Sequence, residues 1–154
     1  MAWVVVRRMV IIFAAELRTM PTEAQILART MDGARQYTML YYTKLKDQDL
    51  HRKFVCEGKE LNTAYWLMAH LAVTQNGLLL MACGGPFEKF SWAKFFGRGG
   101  PGLPPDQCPP FAEVFETFER IHAKAIAHVA ALPDAALEGP NMTGIPMIGT
   151  SVRD

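Results

Sequence analysis

Three long segments of the chain place apolar residues at helical spacing, and each predicts one helix. The first begins with Thr22-Glu23-Ala24-Gln25, which fits the capping-box pattern of a helix start. We expect helices over residues 22–44, 60–82 and 111–132. Gly84-Gly85-Pro86 ends the second and Pro133 ends the third. In the first helix the expected apolar stripe consists of Ile26, Thr30, Ala34, Tyr37 and Tyr41, and it is widened by Leu27, Met31 and Leu45.

The connections between these segments have no strand pattern. Residues 46–52 are charged and predict a loop that continues through residues 56–58. Residues 86–110 are rich in Gly, Pro and aromatic side chains. Because so many large apolar groups would not stay in water, we expect this connection to fold back over one end of the bundle, with a helical turn around residues 91–96. Residues 137–154 show no helical period. The pattern predicts an all-α bundle.

The second segment is unusual because residues 61–87 contain no Asp, Glu, Lys or Arg. A helix that is apolar on nearly every side is either a core helix or a membrane span. Amide and hydroxyl side chains are spread along this segment, and no cluster of Lys or Arg brackets its ends. The sequence therefore favours a core helix and predicts no membrane partner.

The N-terminal residues 1–19 are apolar but are split by Arg7 and Arg8. A signal peptide carries its positive charge before the apolar run, and a spanning helix needs about 20 apolar residues. We expect residues 1–19 to be an extension that precedes a single domain over residues 20–154.

The composition of the chain indicates which partners and which cellular compartment to expect. The formal net charge of +1 provides no electrostatic footprint for nucleic acid. Cys56, Cys83 and Cys108 are far apart in sequence and odd in number, which predicts reduced thiols in a cytoplasmic protein. The Gly-rich run at residues 97–102 lacks the Lys-Ser/Thr ending of a phosphate loop, so we expect a surface turn there.

Four histidines are the candidates for metal chemistry. On a helical wheel His70 shares a face with Trp66, and His122 shares the inward face of the third helix with Phe118. His128 lies about 120° from His122 on that wheel, so the two do not form a chelating pair. His51 is expected at the surface. Because a metal site needs three or four converging ligands, the residues leave open whether His70 is a ligand or a hydrogen-bonded core histidine.

Residues 60–71, Glu-Leu-Asn-Thr-Ala-Tyr-Trp-Leu-Met-Ala-His-Leu, resemble the second-helix signature of the DinB-like superfamily of metal-binding four-helix bundles. The Gly-Gly-Pro-Phe at 84–87, the Phe-Ser-Trp-Ala-Lys-Phe-Phe-Gly at 90–97 and the Phe-Glu-Arg-Ile-His-Ala-Lys at 118–124 are similar to one branch of that superfamily. The resemblance extends from about Met20 to Asp154. It implies a DinB-like up-down bundle with three long helices present.

The resemblance also implies a role for His70. In the family, a His of the second helix binds a divalent metal, Zn or Ni, together with two His of an H-x-x-x-H motif near the start of a fourth helix. Residues 151–154 correspond to the lead-in to that helix, so we expect the fourth helix to be missing or to be supplied by another chain. The two further ligands have no counterpart in this sequence, which predicts an incomplete metal site and makes tight metal binding doubtful.

Two functions remain open at this stage, and so does the question of whether the chain is an enzyme. The resemblance implies a metal-binding protein related to metal-dependent hydrolases or thiol transferases, with an unknown small-molecule substrate near His70 and Trp66. The alternative is a non-catalytic bundle that dimerises through an open apolar face, because a three-helix remnant would expose such a face. Both are compatible with a homo-oligomer.

Overall fold

The computed structural model describes residues 20–154 and confirms the predicted all-α architecture. Helix α1 spans Glu23–Leu45, α2 spans Ala64–Thr74, the short α3 spans Ala93–Phe96, and α4 spans Phe111–Ala131. A π-helix at Gln75–Leu80 directly continues α2. The predictions for residues 1–19 lie outside the described residues. No helix within residues 20–154 has the length and apolar character needed to cross a membrane.

Helix α1 begins as the capping box predicts. The Thr22 side chain accepts a hydrogen bond from the Gln25 backbone N–H, and the Gln25 side chain accepts one from the Thr22 backbone N–H. The predicted apolar stripe is wrong as a description of the buried face. Ala24 and Ala28 are the buried residues of α1, whereas Tyr37 and Tyr41 are 70% and 65% exposed. Small side chains let α1 approach α4 closely. Among its larger apolar residues, Met31, Met39 and Tyr42 are partly buried against the core, whereas Tyr37 and Tyr41 are not covered.

A two-stranded hairpin, which the sequence pattern did not predict, precedes α2. Strand β1 (Val55–Cys56) pairs antiparallel with β2 (Lys59–Glu60). The two residues between them, Glu57 and Gly58, have φ values of 51° and 76°, as a tight hairpin turn requires. Because residues 59–60 pair with this strand, α2 begins at Ala64 instead of at residue 60. The Thr63 hydroxyl caps it by accepting from the Trp66 N–H.

The π-helix is a second feature that periodicity did not indicate. It widens the turns between Gln75 and Leu80 and places the Asn76 side chain inside the fold, where it is 3% exposed. The Asn76 amide donates to the Glu88 carbonyl at 2.8 Å and accepts from the Glu88 N–H at 3.0 Å. This double hydrogen bond attaches the aromatic connection to the end of the α2 segment.

The aromatic connection packs over one end of the bundle, as predicted. Trp92 and Phe96 are buried in the same core cluster as Phe118 of α4. The Trp92 indole N–H donates to a Glu113 carboxylate oxygen at 3.1 Å. The helical turn expected around residues 91–96 is present as α3. Its position matters for function because the carbonyl of Phe96, at its end, lies next to α2.

Helices α1 and α2 both pack against α4, and a groove remains open between them. We call it the α1–α2 groove. Phe118 and His122 of α4 line one end of it. Leu50, from the loop after α1, lines the other end. Among the described residues, the long helices α1 and α2 thus pack against two sides of α4.

Candidate metal ligand and a polar network

His70 lies in the middle of α2, where it is half-buried and stacked against a neighbouring aromatic ring. Its ring stacks on the Trp66 indole, with centroids 4.5 Å apart and planes inclined by 17°. Gly102 approaches Trp66 so closely that a Cβ at this position would lie 3.0 Å from the indole Cδ1. The φ of +74° at Gly102 is also one that favours glycine. The Gly-rich turn, expected only as a surface turn, therefore covers the tryptophan that orients His70.

Hydrogen bonds distinguish the two ring nitrogens of His70. Nδ1 lies 2.7 Å from the Phe96 carbonyl oxygen, and because a carbonyl can only accept, Nδ1 carries the hydrogen and donates it. The Thr74 hydroxyl lies 3.3 Å from Nε2 and donates to it in the neutral ring. Anchoring one nitrogen to a backbone carbonyl is the arrangement that prepares the other nitrogen of a metal-binding histidine.

Nε2 of His70 alone is not sufficient for a metal centre, which needs three or four ligands. Within residues 20–154 no group of three or more His, Cys, Asp or Glu side chains is placed to hold a metal ion. His122, the other inward-facing histidine, does not join His70, because Gln75 and Asp32 already occupy its two nitrogens. The described residues therefore fit the role of one ligand and not a complete coordination sphere.

A chain of polar side chains connects the three long helices near His122. Its Nε2–H donates to Asp32 Oδ1 of α1 at 3.0 Å, and its Nδ1 accepts from the Gln75 amide at 3.0 Å. The Gln75 carbonyl oxygen accepts from the Arg35 guanidinium. Arg35 also donates to the Phe118 carbonyl at 3.5 Å, and its Cζ lies 3.3 Å from the centroid of the Phe118 ring. Donors and acceptors alternate along this polar network.

Burial and hydrogen bonding shift the pKa values of the network. Burial lowers the pKa of His122, and the hydrogen bond to Asp32 opposes that shift. The same hydrogen bond lowers the pKa of Asp32. Burial lowers the pKa of Arg35 to about 10, which leaves the guanidinium charged at neutral pH. The network at neutral pH consists of a neutral imidazole between a carboxylate and an amide, with a partly desolvated cation at its end.

Comparison with known proteins identifies the family. A sequence model of the DinB superfamily matches residues 30–149, which include the whole of α2, α3 and α4. The chain belongs to the DinB superfamily. No curated protein and no solved structure matches it. Family membership and the all-α bundle that the sequence predicted are thus confirmed for this DinB-superfamily chain, and His70 as a metal ligand stays a prediction.

The two remaining histidines of this DinB-superfamily chain contact other residues of the fold. His51, predicted to be a simple surface residue, is half-buried, and its ring stacks on Tyr65 at 4.5 Å. The charged loop folds back far enough for this contact, so that prediction was wrong. His128 Nε2 donates to the Cys83 carbonyl at 3.0 Å, away from the His122 network. The predicted separation of His122 and His128 is confirmed.

Several residues of the site had little or no signal in the sequence. Thr74 follows His70 by four residues and therefore shares its helix face, a spacing that could have identified it. The Phe96 carbonyl had no such signal, because every residue has one. Asp32 and Arg35 are far in sequence from His122 and meet it only through the packing of α1 on α4.

The His122 network predicts a pH dependence of stability. The lowered pKa keeps folded His122 neutral at pH values where the unfolded chain, with a histidine pKa of about 6.5, binds a proton. Stability from this group is present above about pH 6.5 and is lost as the pH falls below it. Between about pH 7.5 and about pH 5.5, urea unfolding should show a larger loss of unfolding free energy for the wild type than for His122→Gln.

Asp32→Asn supplies a matched test of the same pair. Removing the carboxylate removes the contact that raises the pKa of His122, so burial acts unopposed. This variant should lose more stability than the wild type over the same pH interval. Equal pH dependence in the wild type and His122→Gln would contradict the role given to His122.

Proposed function

We propose that this DinB-superfamily chain binds a divalent metal ion, Zn or Ni, through Nε2 of His70, in a site to which residues 20–154 contribute a single ligand. The main observation in support of this proposal is the hydrogen bond from His70 Nδ1 to the Phe96 carbonyl. This bond leaves Nε2 as the unprotonated nitrogen of the neutral ring. The resemblance of residues 60–71 to the second-helix signature of the family supports the same residue.

The residues around His70 hold its imidazole ring in one orientation. Trp66 stacks on one ring face, and the Thr74 hydroxyl is the only group that binds Nε2 among the described residues. A hydroxyl at 3.3 Å is a weak partner that a cation can displace. The imidazole can therefore accept a metal bond without first changing its rotamer.

The chemistry proposed for the chain follows its family relation. Metal-dependent hydrolysis or thiol transfer is the reaction class, and a small molecule near His70 and Trp66 is the substrate. A bound divalent ion can polarise a substrate or activate water. The described residues assign no step beyond holding the ion, because one imidazole leaves the remaining coordination positions undefined.

Metal titration tests the proposal directly. In a Cys56→Ser background, which removes an exposed competing thiol, Zn²⁺ and Ni²⁺ are titrated while the imidazole resonances are followed by NMR. We expect the His70 resonances to shift, and we expect His70→Gln to weaken binding about tenfold or more. His128→Gln is the matched control, because its imidazole Nε2 also binds a backbone carbonyl on the same bundle.

The titration has two results that would refute the proposal. One is an equal affinity for the metal in the wild type and in His70→Gln. The other is a shift confined to His51, His122 or His128 with His70 unchanged. Circular dichroism of each variant verifies that the bundle remains folded.

The alternative function is a non-catalytic bundle that dimerises through its apolar face. The open α1–α2 groove supports this alternative, since Tyr41, Leu67 and Leu71 are 65%, 48% and 39% exposed there. Sedimentation velocity separates the two: a homodimer that Leu71→Lys dissociates supports the alternative, and a monomer at all concentrations rejects it. Cytoplasmic location and homo-oligomerisation both remain predictions.

A further inference from the structure

A half-open pocket lies where the hairpin, the start of α2 and the Gly-rich turn meet. Its volume is about 260 Å³. Its apolar lining includes the buried rings of Tyr65 and Phe96, the partly buried ring of Trp66, and Leu103. Pockets that hold drug-sized ligands have volumes of about 300–1,000 Å³. The size of this pocket therefore suits a smaller molecule that carries one bulky apolar group.

The aromatic walls of the pocket are held by contacts outside it. The Tyr65 hydroxyl donates to the Pro109 carbonyl at 2.8 Å, and the Trp66 indole stacks on His70 at 4.5 Å. The His51 ring stacks on Tyr65 and adds another flat surface to the lining. Because these rings are already oriented, a ligand that enters the pocket has few side chains to order.

A pair of opposite charges lines the same pocket. Lys53, just before β1, and Glu60 of β2 lie with Nζ and Oε2 2.6 Å apart, and their side chains are 64% and 62% exposed. Within residues 20–154 each of these two side chains has the other as its single hydrogen-bond partner. An ammonium has three donors and a carboxylate has about four acceptor positions, so both groups retain unused capacity. Exposed ion pairs contribute little to stability, so the pair can rearrange around a ligand at small cost.

We propose that this pocket binds a free α-amino acid with a large apolar side chain. The carboxylate of the ligand binds Lys53, its ammonium binds Glu60, and its side chain packs on Trp66 and Phe96. A ligand with a carboxylate alone would bring a like charge to Glu60, and one with an amine alone would bring a like charge to Lys53. A zwitterion complements both charges.

The inference does not depend on the proposed metal ion. His70 does not line the pocket, although its ring contacts Trp66, which does. Metal-free protein is therefore sufficient to test amino-acid binding. Failure of that binding would leave the metal proposal standing, and failure of metal binding would leave the pocket proposal standing.

Titration with L-phenylalanine, followed through the indole N–H resonances by NMR, tests the inference. We expect a dissociation constant of about 1 mM or tighter, and a larger shift at Trp66 than at Trp92, which is buried outside the pocket. 3-Phenylpropionate lacks the ammonium and phenethylamine lacks the carboxylate. Each should bind about tenfold more weakly than phenylalanine, because one charged hydrogen bond is lost.

Four variants identify the charges that the ligand uses. Lys53→Met should weaken phenylalanine about tenfold without weakening phenethylamine. Glu60→Gln should weaken phenylalanine by a similar factor without weakening 3-phenylpropionate. Lys59→Met and Glu57→Gln are the matched controls, because these side chains belong to the same hairpin and do not line the pocket. Both controls should bind phenylalanine as the wild type does.

Three results would overturn the inference. The first is an unchanged Trp66 resonance in the presence of about 10 mM phenylalanine. The second is an analogue that binds as tightly as phenylalanine. The third is a control variant that weakens phenylalanine as much as Lys53→Met or Glu60→Gln does.

Discussion

Replacing Phe118 with alanine is expected to lower the free energy of unfolding by about 3–5 kcal/mol, the largest effect of any single truncation in this bundle. Phe118 is fully buried on α4, in the core cluster that includes Trp92 and Phe96. Its ring also supports the Arg35 guanidinium, so the truncation leaves a cavity and removes a cation–π contact. Domains of this size have about 5–15 kcal/mol in total, so the truncation should remove a large fraction of the stability.

Urea unfolding monitored by circular dichroism measures this change. Phe87→Ala is the matched control, because Phe87 is 46% exposed and contributes little buried area. We expect the control to lose less than about 1 kcal/mol. A loss for Phe118→Ala as small as that of Phe87→Ala would show that α4 is not the packing centre of the fold.

Asn76→Ala should give the second largest effect, a loss of about 2–4 kcal/mol. Its buried amide satisfies both the N–H and the carbonyl of Glu88, and alanine leaves both without their partner. The higher helix propensity of alanine recovers only about 0.5 kcal/mol. Because the double hydrogen bond ties the aromatic connection to α2, we also expect faster amide hydrogen exchange around Glu88 and in α3.

Asn62→Ala is the control for this substitution, because Asn62 is exposed and precedes α2. Its unfolding free energy should stay within about 0.5 kcal/mol of the wild type. Unchanged hydrogen exchange at α3 in Asn76→Ala would contradict the proposed anchoring, even if the global stability fell.

Much of the helical framework could be predicted from local patterns. The Thr22 capping box placed the start of α1 within one residue, and Pro133 placed the end of α4 equally well. These signals act within one helical turn, so a single sequence contains all the information that they need. The hairpin at Val55–Glu60 was missed because its strands are only two residues long. The π-helix was missed because its buried Asn76 binds Glu88, which lies twelve residues further along the chain.

The burial of α1 shows a limit of periodicity. Its larger apolar residues recur at helical spacing and predicted an apolar stripe that included Tyr37 and Tyr41. The structure buries Ala24 and Ala28 instead, because close approach to α4 requires small side chains. Periodicity identifies a helix and its apolar positions, whereas it does not determine which apolar face meets a neighbour.

By itself, the sequence determined the three long helical segments, the uncharged second segment and the family resemblance around His70. Only the tertiary structure decided that His70 Nδ1 donates to Phe96, that His122 pairs with Asp32 and Gln75, and that Arg35 lines an open groove. The physical reason is the distance along the chain between the residues that interact. Capping and amphipathicity depend on neighbours within one or two turns, whereas each of these contacts joins residues 26 to 90 positions apart or depends on how three helices pack together.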